Sequence, residues 1–223
     1  MNLVEAQAEQ SSATDEHDVA PGWERCPYCG AHLPEGFRFC GQCGRALAAT
    51  LAPGPGDLVT ILFADLEGFT TFASRREMAE VRELIVSYHA LVREQVGTHG
   101  GFEVKQMGDG FMVAFSNPAR AVLCAVDIQR AMAAEHGQAT VPIRASVGLN
   151  SGDAIREGDD FFGHTVNVAS RIVDRANGGQ VLVSEATRIL AGHVDGVRMV
   201  DIGRRRLRGI RRRHRLFEVV WCQ

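Results

Sequence analysis

The chain has 223 residues, 45% of them hydrophobic, and its 24 Lys and Arg against 27 Asp and Glu leave a formal net charge of −3. That length holds one domain of ordinary size plus a small module, and the apolar content is enough for a real core. No apolar run approaches the length of a bilayer span and the acidic N-terminus lacks a signal-peptide pattern, so a soluble, cytoplasmic protein is expected. One peculiarity hides in the bland charge: of the 24 cationic residues only Lys105 is a lysine. A compact ammonium differs as a donor from a planar guanidinium, so its place inside the motif described below points to function.

Residues 1–24 carry acids but no Lys or Arg, and few large apolar residues, which predicts a disordered tail. Next come Cys26-Pro27-Tyr28-Cys29-Gly30 and Cys40-Gly41-Gln42-Cys43-Gly44. Four thiolates in two Cys-x-x-Cys knuckles suit one tetrahedral, structural Zn²⁺ ligated by Cys26, Cys29, Cys40 and Cys43. A segment this short cannot bury a core, so metal would have to stabilise it; disulfides or redox dithiols are the weaker alternative for an intracellular chain. Residues 25–47 resemble a zinc ribbon, a module that serves nucleic-acid binding, protein contacts or scaffolding alike. Cys124 and Cys222 lie outside the pattern and read as core or surface thiols. Residues 48–56, with Pro53-Gly54-Pro55-Gly56, read as a linker, and a second domain spans 57–223.

That domain opens with an apolar strand, Val59 to Ala64, which runs into Asp65 and then a Gly68-Phe69-Thr70 turn at the start of a helix. Backbone N–H groups at Gly68, Phe69 and Thr70 would face phosphates from that helix N-terminus. Glu77 to Val96 has Val81, Leu84, Ile85, Tyr88, Leu91 and Val92 at helical spacing. Phe102 to Met107 and Phe111 to Phe115 form a hairpin around Gly108-Asp109-Gly110. Two strands ending in Asp65 and Asp109 can bring two carboxylates to one sheet edge, as a protein does to hold Mg²⁺ or Mn²⁺ against a polyphosphate. Asn117-Pro118 caps a helix through about Ala134. Strands follow at Ile143 to Leu149 and Gly152 to Glu157, then a helix from Thr165 to Ala176, a strand from Gln180 to Val183 and a helix from Ser184 to Ala191. Strands Val197 to Ile202 and Arg215 to Val220 close the chain. Hairpins and strand–helix–strand units, with the helices gathered on one face, argue an α+β sandwich.

Taken with Asp160-Phe161-Phe162-Gly163-His164-Thr165-Val166-Asn167-Val168-Ala169-Ser170-Arg171, these motifs resemble the class III nucleotide cyclases from about Asp57 to Val220, with every catalytic position matched in order and spacing. The resemblance implies a ferredoxin-like cyclase sandwich, here preceded by the zinc-ribbon module. It also implies that a ribose 3′-oxygen attacks the α-phosphorus of a nucleoside triphosphate and pyrophosphate leaves. Asp65 and Asp109, with the Leu66 carbonyl, would hold two Mg²⁺ or Mn²⁺ per active site. Lys105 and Asp160 match the family's adenine-reading pair, so ATP is the expected substrate and cyclic AMP the product. Asn167 would position the ribose, and Arg171 would donate to the α-phosphate. The resemblance further implies a homodimer whose two sites each draw residues from both chains.

One feature departs from the family. The lysine that often contacts the triphosphate is replaced by an arginine run, eight in the twelve residues 204–215. Arg208 is the best match, with Arg211 as alternate. Such a run also suits nucleic acid, but a solvated hairpin beside a triphosphate pocket is the simpler reading. A guanylyl cyclase, opposed by Lys105 and Asp160, and a non-catalytic cyclase-like binding module are the competing readings.

Overall fold

In the computed structural model the described residues are 53, 58–136 and 144–221. The four zinc-ribbon cysteines and Cys222 lie outside them. The elements in chain order are β1 (Leu58–Leu66), α1 (Phe69–Ala73), α2 (Met78–His99), β2 (Phe102–Met107), β3 (Gly110–Phe115) and α3 (Pro118–His136). They continue with β4 (Ala145–Asp153), β5 (Ile155–Glu157), β6 (Asp160–Phe162), α4 (His164–Val173), β7 (Val181–Ser184), α5 (Glu185–Ala191), β8 (Arg198–Arg205) and β9 (His214–Val220).

Seven strands form one sheet in the order β2-β3-β1-β4-β7-β9-β8, and β5 and β6 pair as a separate small hairpin. All neighbours in the large sheet are antiparallel except β4 and β7. β1 is buried on both faces, because alternate side chains of a strand point to opposite sides of the sheet. Leu62, Ala64 and Leu66 join Tyr88, Leu91 and Val92 of α2 and Ala121, Ala125 and Ile128 of α3 in the larger core. Val59 and Ile61 join Met112, Ala114, Phe161 and Ala169 on the opposite face. Farther along that second face, Val168 and Ile172 of α4 pack on Leu182, Leu207 and Leu216.

The helices are therefore not gathered on one face: α2 and α3 cover one side and α4, with the β5–β6 hairpin, covers the other. β4 shows what admits α4. Val147 and Leu149 face the larger core, while the alternate row contains Gly148, Asn150 and Gly152. A Cβ at Gly148 would collide with the Val173 backbone nitrogen and stand 2.8 Å from its Cα; one at Gly152 would stand 2.7 Å from Thr165 Oγ1. Between them Asn150 Nδ2 donates to the Thr165 carbonyl at 3.0 Å. The helix backbone thus lies directly on the strand, at a height a side chain would forbid.

Element boundaries depart from the sequence reading in several places: α2 and β8, for example, each run three residues further, to His99 and Arg205. β4 continues to Asp153, so the strand expected from Gly152 to Glu157 is instead the end of β4, a break at Ala154 and the short β5. α4 ends at Val173, three residues before Ala176, just ahead of the Asn177-Gly178-Gly179 turn. The predicted cap of α3 is present: Asn117 Oδ1 accepts from the Ala119 and Arg120 amides at 3.0 and 3.2 Å. Cys124 is a fully buried core thiol.

Candidate active site

Asp65 is the penultimate residue of β1 and belongs to the row of Ile61 and Phe63, on the α4 side of the sheet. Antiparallel pairing of Ala64 with Phe111 sets the β2–β3 turn beside it. Gly108 takes a left-handed φ of 63° in that turn, which an L side chain rarely adopts. Gly110 leaves room as well, since a Cβ there would stand 3.6 Å from Asp65 Oδ1 and 3.3 Å from the Met107 carbonyl. The outcome is that Asp65 and Asp109 lie within hydrogen-bonding reach of each other.

Desolvation, followed by the hydrogen bond and charge of Asp109, pushes the Asp65 carboxyl up to about 6; Asp174 adds to the rise and a Leu66 backbone hydrogen bond opposes it. Two carboxyls so close cannot both ionise cheaply without a cation between them. Beside them, on the α2 side, is the fully buried Tyr88 hydroxyl, which has no hydrogen-bond partner among the described residues. Burial raises its pKa first, and the charges of Asp65 and Asp109 raise it further. Among the described residues no group of three or more His, Cys, Asp and Glu converges as a metal cage. A close carboxylate pair open to solvent instead fits a divalent ion completed by substrate oxygens and water.

A second cluster forms where β6 meets β2. Lys105 Nζ donates to both carboxylate oxygens of Asp160, at 2.8 and 2.6 Å, and lies 5.6 Å from the centre of the Phe162 ring. The Lys105 hydrogen bond is the main cause that holds the Asp160 carboxyl below its usual range, and the Phe161 amide assists at 2.8 Å. The sequence-expected pair is thus assembled, with donor and acceptor satisfying each other.

α4 follows directly on β6. Asn167 is exposed in its first turn. Arg171, one turn later, is bound to Asp174 (Nη1 to Oδ2, 2.7 Å). Asp174, which the sequence gave no reason to single out, therefore touches Arg171 while its charge reaches Asp65. Gly68 is the left-handed cap of α1 (φ 71°), so Phe69 and Thr70 open the helix next to Asp65 as expected. Arg208 is exposed in the β8–β9 loop beside the buried Leu207, which anchors the loop against Val168 and Ile172 of α4. That places Arg208 near α4. Tyr88 was legible only as one member of the apolar stripe of α2, and its neighbour His89 carried no signal in the sequence.

Known proteins share this architecture. A solved adenylate/guanylate cyclase/hydrolase from Silicibacter pomeroyi matches 73% of this chain and 96% of its own, with TM-score 0.66 and 30% identity. A Rhizobium meliloti (strain 1021) protein provisionally named adenylate cyclase 3 is 34% identical over 157 residues, which is 70% of this chain and 27% of that protein. An uncharacterised Mycobacterium tuberculosis (strain ATCC 25618 / H37Rv) protein is 35% identical over 162 residues, 71% of this chain and 54% of its own. The chain thus spans about half the length, or less, of these two relatives. A zinc-ribbon domain model matches residues 25–47. The model of the adenylate and guanylate cyclase catalytic domain matches residues 51–220, and it is to this family that the chain belongs.

Proposed function

We propose that this nucleotide cyclase domain is an adenylyl cyclase, converting ATP to 3′,5′-cyclic AMP and pyrophosphate in a homodimer. The observation that carries the substrate choice is the Lys105–Asp160 pair, a cationic donor and an anionic acceptor side by side at the edge of the sheet. Adenine offers an acceptor at N1 and a donor at its 6-amino group, so Lys105 binds the first and Asp160 the second. Guanine presents the opposite pattern there.

Asp65 and Asp109, with the Leu66 carbonyl, bind two Mg²⁺ or Mn²⁺ ions. Held there, the ions would supply Lewis acidity toward the ribose 3′-hydroxyl and positive charge against the phosphates. Asn167 orients the ribose, and Arg171 releases Asp174 to donate to the α-phosphate oxygens as charge builds there. First-turn amides of α1 at Phe69 and Thr70 face the phosphates, and Arg208 serves the triphosphate from the neighbouring loop. Asp65 answers to Asp109 and Asp174, and Asp160 answers to Lys105. Membership of the cyclase family supports sites completed across a two-fold axis, with Asp65 and Asp109 from one protomer and Lys105, Asp160, Asn167 and Arg171 from its partner.

The test is product formation by the purified full-length chain given ATP or GTP with Mn²⁺. Cyclic AMP should dominate, and the double change Lys105→Glu, Asp160→Cys should weaken ATP use and admit GTP. Equal turnover of both nucleotides by the parent, or an unchanged ratio in the double variant, sinks the adenine assignment.

A further inference from the structure

The turn that carries Asp109 is held by more than its own hairpin. The Gly108 carbonyl lies at 3.1 Å from His89 Nε2 on α2, and a carbonyl only accepts, so Nε2 carries the proton and donates. The same carbonyl accepts from Gln106 Nε2 at 2.7 Å. Gln106 Oε1 in turn accepts from Arg93 Nη2 at 3.3 Å, and Arg93 forms a two-pronged ion pair with Glu103 of β2 at 2.8 Å on both arms. Phe111, two residues beyond Asp109, is clasped by the same helix. Tyr88 meets its ring edge-on at 5.9 Å and His89 at 5.1 Å, while the Arg93 guanidinium lies 5.4 Å from its centre. One face of α2 thus grips the residues on either side of Asp109.

This grip has work to do. Asp65 and Asp109 repel once both are ionised, and the movable partner is the turn, since Asp65 belongs to a strand paired on both sides. Without the His89 bond the Gly108 carbonyl keeps, among the described residues, only Gln106, a residue of the same hairpin that moves with the turn. His89 is the donor that ties the turn to a separate element.

We propose that His89 is a positioning residue for the metal site: by donating to the Gly108 carbonyl it holds Asp109 against Asp65 before any cation arrives. The proposal rests on the assignment of those two aspartates as metal ligands. Bonds that fix metal ligands are worth about tenfold or more in metal affinity when removed.

The experiment measures Mn²⁺ binding to the full-length chain through the electron-spin-resonance signal of the free ion, with Asp109→Ala defining binding elsewhere. His89→Phe keeps a ring against Phe111 and deletes only the donor; His89→Gln keeps an N–H of similar reach. The Phe variant should bind Mn²⁺ about tenfold more weakly and need about tenfold more Mn²⁺ for half-maximal turnover, with kcat restored at saturating metal. The Gln variant should recover most of the parent's affinity. Parental affinity in the Phe variant overturns the proposal. Equal weakening in the Phe and Gln variants also overturns it, because ring packing and not the donated bond would then matter. If the parent binds no more Mn²⁺ than Asp109→Ala, the metal-site assignment itself fails, a distinct result.

Discussion

A carboxyl raised to about 6, as Asp65 is by desolvation and by Asp109, exchanges its proton in mildly acidic solution. A ligand must lose its proton before it binds a cation, so Mn²⁺ affinity should hold steady above about pH 7 and fall up to about tenfold per pH unit below about 6. Mn²⁺ titrations across that range check this; a pH-independent affinity would refute it. Stability of the metal-free protein runs the other way. With the folded value above the ordinary 3.8, the contribution of Asp65 is fully present below 3.8 and is lost as pH rises through about 6. Asp109→Asn removes one cause of the rise, so it should raise the melting temperature more at about pH 7.5 than at about pH 4.5. Residues of this kind differ in how far the sequence discloses them. Lys105, Asp160, Asn167 and Arg171 stand in spaced motifs, and the family resemblance those motifs carry nominates them as site residues. Asp174 and His89 act through contacts between elements, and no spacing along the chain encodes a contact between α2 and the turn at Gly108.

Most strands and helices were legible at the element scale, because apolar periodicity and punctuation by Gly, Pro and Asn mark them directly. The side of the sheet taken by α4 was not. Its apolar stripe would fit either face, and the deciding feature is the glycine row on β4, which reads in sequence as weak strand punctuation. In the fold, Gly148 and Gly152 set the height of α4 above the sheet, and with it the placement of Asn167 and Arg171. Gly148→Ala should therefore cost about 1–3 kcal/mol through overpacking against Val173. It should lower kcat by about tenfold or more, since displacement of about 1 Å is enough to spoil a reacting geometry. Asp65 and Asp109 belong to β1 and the β2–β3 turn, so Mn²⁺ affinity should change little. Turnover at the parental rate in a folded Gly148→Ala protein would show that the height of α4 is not critical.

For the whole molecule, the proposed sharing of sites makes a quantitative demand on mixtures. Asp65→Ala and Arg171→Ala should each be nearly inactive alone. In a mixed dimer both lesions fall in one site and the other is intact. With random exchange, half the dimers are mixed and each has one good site of two, so roughly a quarter of parental activity returns. No recovery, with exchange of labelled chains demonstrated, would assign the metal ligands and Arg171 to a site within one chain. The zinc ribbon makes a separate demand: Cys40→Ser with Cys43→Ser should abolish bound zinc, measured by metal analysis, and leave the cyclase domain folded because its core is its own. Unchanged zinc content would refute the four-cysteine assignment. No helix among the described residues is long and apolar enough to cross a membrane.

If Lys105 and Asp160 read the base as proposed, their mutual bond sets the terms on which a nucleotide is admitted. Each group already holds a surrogate for the edge of the base it is meant to read, so an arriving nucleotide competes with the protein before it competes with other nucleotides. On the proposed reading every purine must break this latch, yet only a base with adenine's pattern hands both groups a replacement. A mismatched purine leaves a cation and a carboxylate apart and unsatisfied, and the latch recloses. Discrimination on this view is built less on attraction for the right base than on a default state that the wrong one cannot displace.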